Sequence, residues 1–263
     1  MRTDGIKPAA KRIMLTVAYD GTAYCGWQLQ PGKPTIEAQL NESLSALLGE
    51  PIRVIGASRT DAGVHARGNV AVFDTCSRMP QDKFSYALNQ RLPEDIRIRA
   101  SREVPSDFHP RKTDSVKTYA YHILNAKFPD PMERLYSYFT YLPLDERRMQ
   151  QAAAYLPGEH DFSSFCSAGA QVTSTVRTLY DCRVERNGER LTIWIRGNGF
   201  LYNMVRIISG TLLEVGSGKR EPEEMKRILE AHDRRAAGPT APAKGLELVS
   251  YYFPILDELP ESE

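Results

Sequence analysis

One short run holds the residue types that nucleophilic or acid–base chemistry needs: Ser58-Arg59-Thr60-Asp61-Ala62-Gly63-Val64-His65-Ala66. It places a single carboxylate, Asp61, between a cation and a glycine. An opposite charge nearby keeps a carboxylate ionised, and an ionised carboxylate acts as nucleophile or base. The same residues also fit a plain turn, in which Asp61 bonds its own backbone, Gly63 takes positive φ and Arg59 is a surface partner. Arg59 can balance Asp61 or hold a phosphate, and the sequence permits both. Paired-aspartate protease chemistry is unsupported: the run is Asp-Ala-Gly rather than Asp-Thr-Gly, and no second copy supplies the other carboxylate. Cys25, Cys76, Cys166 and Cys182 form no C-x-x-C pair, and the five histidines show no H-E-x-x-H spacing. Neither a metal site nor a disulfide framework is implied.

The flanking pattern must position that loop. Ile13, Leu15, Val17 and Tyr19 alternate with Met14, Thr16 and Ala18, the period of a strand, and Asp20-Gly21 turns the chain. Thr35 can cap a helix whose apolar stripe is Ile36, Leu40, Leu44, Leu47 and Leu48, with Gly49 placed to end it. Strands are expected over 52–57 and 69–74, around the polar loop. A helix over 82–92 and a strand over 96–101 complete a β-α-β-β-α-β order. The second half repeats it: a strand over 116–124, a helix over 145–156, and strands over 175–184 and 190–196 joined at Asn187-Gly188. An apolar helix over 202–215, a polar helix over 221–231 and a strand over 246–253 follow. Two such units are the ferredoxin-like, or RNA-recognition-like, arrangement twice over. The expected domains are 11–107 and 114–253, with flexible tails at 1–10 and 254–263.

At 263 residues the chain can bury a core unaided. Its composition is that of an ordinary globular protein, with no apolar run approaching the roughly 18 residues of a membrane span. Residues 1–12 carry Arg2, Lys7, Lys11 and Arg12 without an apolar stretch, so a secretory signal is not expected and a cytoplasmic protein is. Net charge is only +1, yet Asp257, Glu258, Glu261 and Glu263 sit in the last ten residues; up to residue 253 there are 34 basic and 29 acidic groups. From Arg53 to Lys117 the balance is 12 basic to 8 acidic. A mixed solvated surface accounts for these figures, and a nucleic-acid partner needs motifs behind it.

Such motifs exist. Tyr19-Asp20-Gly21-Thr22 with Gly26-Trp27-Gln28, then Ser58 to Ala66, closely resembles the TruA family of tRNA pseudouridine synthases. So do Lys117-Thr118-Tyr119-Ala120-Tyr121, His160 to Phe165, Phe200 to Arg206, and Ala241-Pro242-Ala243-Lys244-Gly245-Leu246. The matches run in family order over nearly the whole chain. One departure is Asn203, where the family commonly has His.

The resemblance implies an α+β fold with a mixed, mainly antiparallel sheet and an active-site cleft. It implies that Asp61 is the catalytic aspartate and that Tyr119 stacks on the target uracil. The reaction breaks an N–C glycosidic bond, turns the base and forms a C–C bond, so no cofactor is required. Asp61 can add to the base, attack the anomeric carbon or remove a sugar proton, and the sequence does not choose. The Tyr119 phenol can also assist loss of the C5 proton. Arg206, alone on an apolar helix, reads as a snorkelling surface residue or as the partner that orients and charges Asp61. Leu246 packs a wall of the site. Trp27 and Phe200 read as core, and Arg177 and Asp161-Phe162 are secondary candidates. The resemblance further implies a homodimer sharing tRNA between subunits, action at positions 38 to 40 of the anticodon stem-loop, and no membrane partner. Two rivals stand beside it. A non-catalytic protein of paired RNA-recognition domains would normally carry an aromatic-rich signature that is absent, and a glycosidase would need two carboxylates.

Overall fold

The computed structural model describes residues 10–169 and 172–257. The chain divides into two compact units, 10–114 with 253–257, and 115–252. The expected N-terminal tail lies, but for Ala10, outside the described residues, as do 258–263. Residues 254–257, expected as tail, instead turn back: Arg102 pairs with Asp257, and Asp257 accepts the Phe253 N–H at 2.7 Å.

In the first unit, β1 (Lys11–Tyr19) runs antiparallel to both β3 (His65–Thr75) and β4 (Ile96–Val104). The helix α1 (Ile36–Leu48) has the expected ends: Thr35 accepts the Ala38 N–H, and Gly49 takes a left-handed conformation at φ 69°. Its stripe of Ile36, Leu40 and Leu44 is fully buried, as are Ile13, Leu15 and Val17 of β1. The second helix, α2 (Lys83–Asn89), packs Phe84 edge-on to Phe73 at 5.5 Å.

The expected strand over 52–57 contracts to β2 (Ile55–Gly56), which pairs with Val72 and Ala71 of β3. The cause lies in α1. Asn41 Oδ1 accepts the Val54 N–H and Ser45 Oγ accepts the Ile52 N–H, so these amides are satisfied by the helix rather than a ladder. Conversely, β3 starts four residues earlier than its alternation suggests, directly after the Asp61 loop.

The second unit contains β5 (Val116–Asn125), β6 (Tyr138–Thr140), α3 (Glu146–Ala153), β7 (Gly158–Asp161), β8 (Val176–Asn187), β9 (Arg190–Gly197), α4 (Met204–Gly216), α5 (Glu224–Ala231) and β10 (Leu246–Tyr252). The short strands β6 and β7 carry no alternation of their own and were not expected. β6 pairs parallel to β5, while the other ladders of this unit are antiparallel. Strand order is β4-β1-β3-β2 in the first unit and β10-β5-β9-β8 in the second, with β7 beyond β8. Leaving out β6 and β7 and counting along each half, both read fourth, first, third, second. Among the described residues no helix is long and apolar enough to cross a membrane.

Candidate active site

The Asp61 loop is built by close backbone approach. Trp27 N–H donates to Thr60 O at 3.0 Å, and Gly63 N–H donates to Tyr24 O at 3.3 Å. Val64 N–H closes the turn on Asp61 O at 3.1 Å, with Gly63 at φ 76°. Two glycines make this possible. A methyl on Gly21 would sit 2.0 Å from Val64 O, and one on Gly26, itself at φ 87°, would sit 2.6 Å from Thr60 O. The Tyr-Asp-Gly and Gly-Trp-Gln segments therefore form the cradle in which the loop lies.

Side chains complete the hold. Tyr19 Oη and Thr60 Oγ1 are 2.7 Å apart, and the buried Asn69 amide donates to Tyr19 Oη and to Ser58 O, both at 3.1 Å. Gly21 N–H donates to His65 Nδ1 at 3.1 Å. Tyr24 donates its hydroxyl to Asp95 at 2.7 Å; burial and that hydrogen bond push the phenol far above its ordinary range. Trp27 is 1% exposed, tilted against Tyr19, and only a glycine at position 56 leaves room for its indole. It belongs to the core, as expected. Ser58, Thr60 and His65 are buried, and Asp61 is partly exposed. Arg59 is exposed and makes no hydrogen bond or ion pair among the described residues. Asn69 was missed by the sequence reading, although a lone amide opening the apolar run Val70 to Phe73 is a signal of a polar hub.

Tyr119, Arg206 and Leu246 belong to the second unit. Tyr119 is a buried residue of β5, between Ile195 of β9 and Leu248 of β10 in the ladder, and its ring meets Phe200 edge-on at 5.0 Å. Phe200 departs from the core expectation, since it is part-exposed and lies on the Gly197–Leu201 turn. Arg206 is not a snorkelling surface group. Its Nε donates to Ala241 O and its Nη1 to Asn203 Oδ1, both at 2.8 Å. Asn203 adopts φ 61° before α4 and donates to Ser167 Oγ at 3.0 Å; asparagine tolerates that backbone better than most residues. The 239–241 segment lies so close to α4 that a methyl on Gly210 would fall 1.8 Å from Pro239 O. Leu246 is buried at the start of β10, opposite Tyr121, whose hydroxyl donates to Pro242 O at 2.9 Å.

The secondary candidates separate. Phe162 is fully buried. Asp161 accepts the Ser163 N–H at 2.8 Å; burial pushes its carboxyl up, but hydrogen bonds from Thr175 and Ser163 outweigh this and bring it below the usual range. Both read as structural. Arg177 on β8 donates to Ser174 O and Val176 O at 2.9 and 2.6 Å, and burial lowers its pKa.

The first unit thus presents a carboxylate on a glycine-built turn, and the second carries an aromatic pair and a tethered arginine. Comparison with known proteins carries this further. The sequence model of a family described as tRNA pseudouridine synthase matches residues 15–111 and 152–254. The chain is 51% identical over 238 residues to tRNA pseudouridine synthase A of Brevibacillus brevis, covering 90% of this chain and 98% of that one. It is 50% identical over 237 residues to the protein of that name from Halalkalibacterium halodurans, covering 90% of each. For the protein of that name from Acetivibrio thermocellus the figures are 48% over 243 residues, 92% and 100%. The chain belongs to the tRNA pseudouridine synthase family. That is a family of isomerases, and membership disfavours the reading as a non-catalytic RNA-binding protein.

Proposed function

We propose that this chain isomerises uridine to pseudouridine at positions 38 to 40 of the tRNA anticodon stem-loop, with Asp61 as nucleophile or base. One observation supports the assignment above the others. The single carboxylate of the Ser58–Ala66 loop lies partly exposed on a turn that glycines hold in place. Rigid presentation of this kind is what a group attacking or deprotonating a nucleoside requires.

Tyr119 is assigned the stacking surface for the loosened uracil, and its hydroxyl a part in removing the C5 proton. Arg206, fixed by Asn203 and Ala241, is assigned the positive charge that keeps a carboxylate ionised. Leu246 is assigned an apolar wall, and the exposed Arg59 a backbone phosphate. The family relationship supports a cytoplasmic homodimer that shares one tRNA between subunits.

The test compares pseudouridine yield on intact tRNA with that on an unstructured RNA of equal charge at equal occupancy. Intact tRNA is expected to react and the loose strand to react poorly or not at all. Equal rates would remove tRNA architecture from the specificity, and no product on either would overturn the assignment.

A further inference from the structure

The second unit carries two cations that the roles above leave unused, and they lie on one stretch of its sheet. Lys117 precedes Tyr119 by two residues on β5, so both side chains leave the same face of the strand. The register partner of Lys117 is Gly197 on β9, which in turn pairs with Leu179 on β8, two residues beyond Arg177. A methyl on Gly197 would come within 2.7 Å of Leu179 and 3.4 Å of the Phe200 ring. One on Gly199 would lie 3.3 Å from Arg177 Nε. Leu179 and the Phe200 ring thus fill the room over Gly197, Arg177 lies against Gly199, and Lys117 and Tyr119 leave the same face of the adjoining strand.

Neither cation has a carboxylate partner among the described residues. The Lys117 ammonium lies 5.4 Å from the Tyr251 ring centroid, and Arg177 is tied only to main-chain carbonyls. Burial, with the charge of Arg177 adding to it, lowers the Lys117 pKa to about 8. Two like charges partly withdrawn from water oppose folding, and an anion between them relieves both costs. A planar guanidinium fork beside a point-charge ammonium is the donor set that phosphate oxygens take. The adjoining aromatic edges suit a nucleotide strand better than a free inorganic anion.

We propose that Lys117 and Arg177 jointly bind a backbone phosphate of the RNA next to the uridine whose base Tyr119 receives. This rests on the function assigned above and adds a substrate-positioning pair to it. The probe is an unmodified tRNA transcript with uridine at position 39. Lys117→Met and Arg177→Gln should each raise KM about tenfold while kcat changes little, which is the mark of lost ground-state binding. The slope of log affinity against log salt should fall by about 0.7 to 0.9 for one lost phosphate contact. Lys117→Arg should restore the slope.

A second arm needs no variant. Replacing single linkages around the target uridine by neutral methylphosphonates should weaken wild-type binding at one linkage, and the same replacement should cost Lys117→Met little more. Unchanged KM and slope in both variants, or a linkage scan in which no flanking phosphate matters, overturns the proposal. Wild-type protein that binds the transcript with the expected slopes yet yields no pseudouridine overturns the assigned function instead.

Discussion

The Asp61 loop and the sheet end around Tyr119 are held by opposite means. The loop is one continuous stretch clamped mostly through main chain, where Gly21 and Gly26 admit contacts that any side chain would block. The Tyr119 region is gathered from β5, β8, the Gly197–Leu201 turn, the start of α4 and the 239–246 segment, and side chains do the holding: Asn203 on Arg206, Tyr121 on Pro242, Phe200 on Tyr119. The carboxylate proposed to do the chemistry thus sits where displacement costs most. The groups proposed to meet the RNA sit where single substitutions should shift affinity by degrees.

The largest effect should come from the loop. Asp61→Asn keeps the shape and removes the charge, so pseudouridine formation should fall by orders of magnitude with the melting temperature and tRNA affinity close to wild type. Near-normal turnover would place the chemistry elsewhere. Gly26→Ala tests the clamp. With φ at 87° and a Cβ 2.6 Å from Thr60 O, it should cost about 1–3 kcal/mol in denaturant melts and lower activity through the displaced turn. Wild-type stability would mean that the cradle is softer than these contacts imply.

Tyr119 sharpens the contrast from the other side. Tyr119→Leu should lose roughly 1–3 kcal/mol of substrate binding along with turnover. Tyr119→Phe should bind normally, and loss of turnover there would assign the hydroxyl a chemical role. A fully active leucine variant would exclude base stacking. The smallest effect concerns Lys117, whose pKa is lowered from 10.5 to about 8. Between those values the unfolded chain holds more protons than the folded one, so this residue makes stability rise with pH across that window. Melting curves from pH 7.5 to 10.5 should show a shallower rise, or a steeper fall, for Lys117→Met than for wild type. Parallel curves would show that the amine is not desolvated.

Much of this was legible from residue order. The ends of α1 followed from Thr35 and Gly49 because capping is local chemistry, and β1, β5 and β9 followed from alternation. The strand expected over 52–57 was lost because Asn41 and Ser45 compete for its amides, a contact with no trace in local pattern. Phe200 read as core because an aromatic beside glycine has no periodicity to place it. In the structure, the missing side chain of Gly197 leaves room for its ring.

Sequence by itself determined most of the elements and their order, the family resemblance and the carboxylate most suited to chemistry, since strands, caps and a nine-residue motif are set by neighbours within a few positions. Tertiary structure decided what those residues are free to do. Only there does Asn69 become the hub beneath the loop and Asn203 the tether of Arg206. Only there, too, do Lys117 and Arg177, sixty positions apart, come to share one partly desolvated stretch of sheet. Hydrogen-bond partners and desolvation depend on what packs nearby in space, and spacing along the chain carries no record of that.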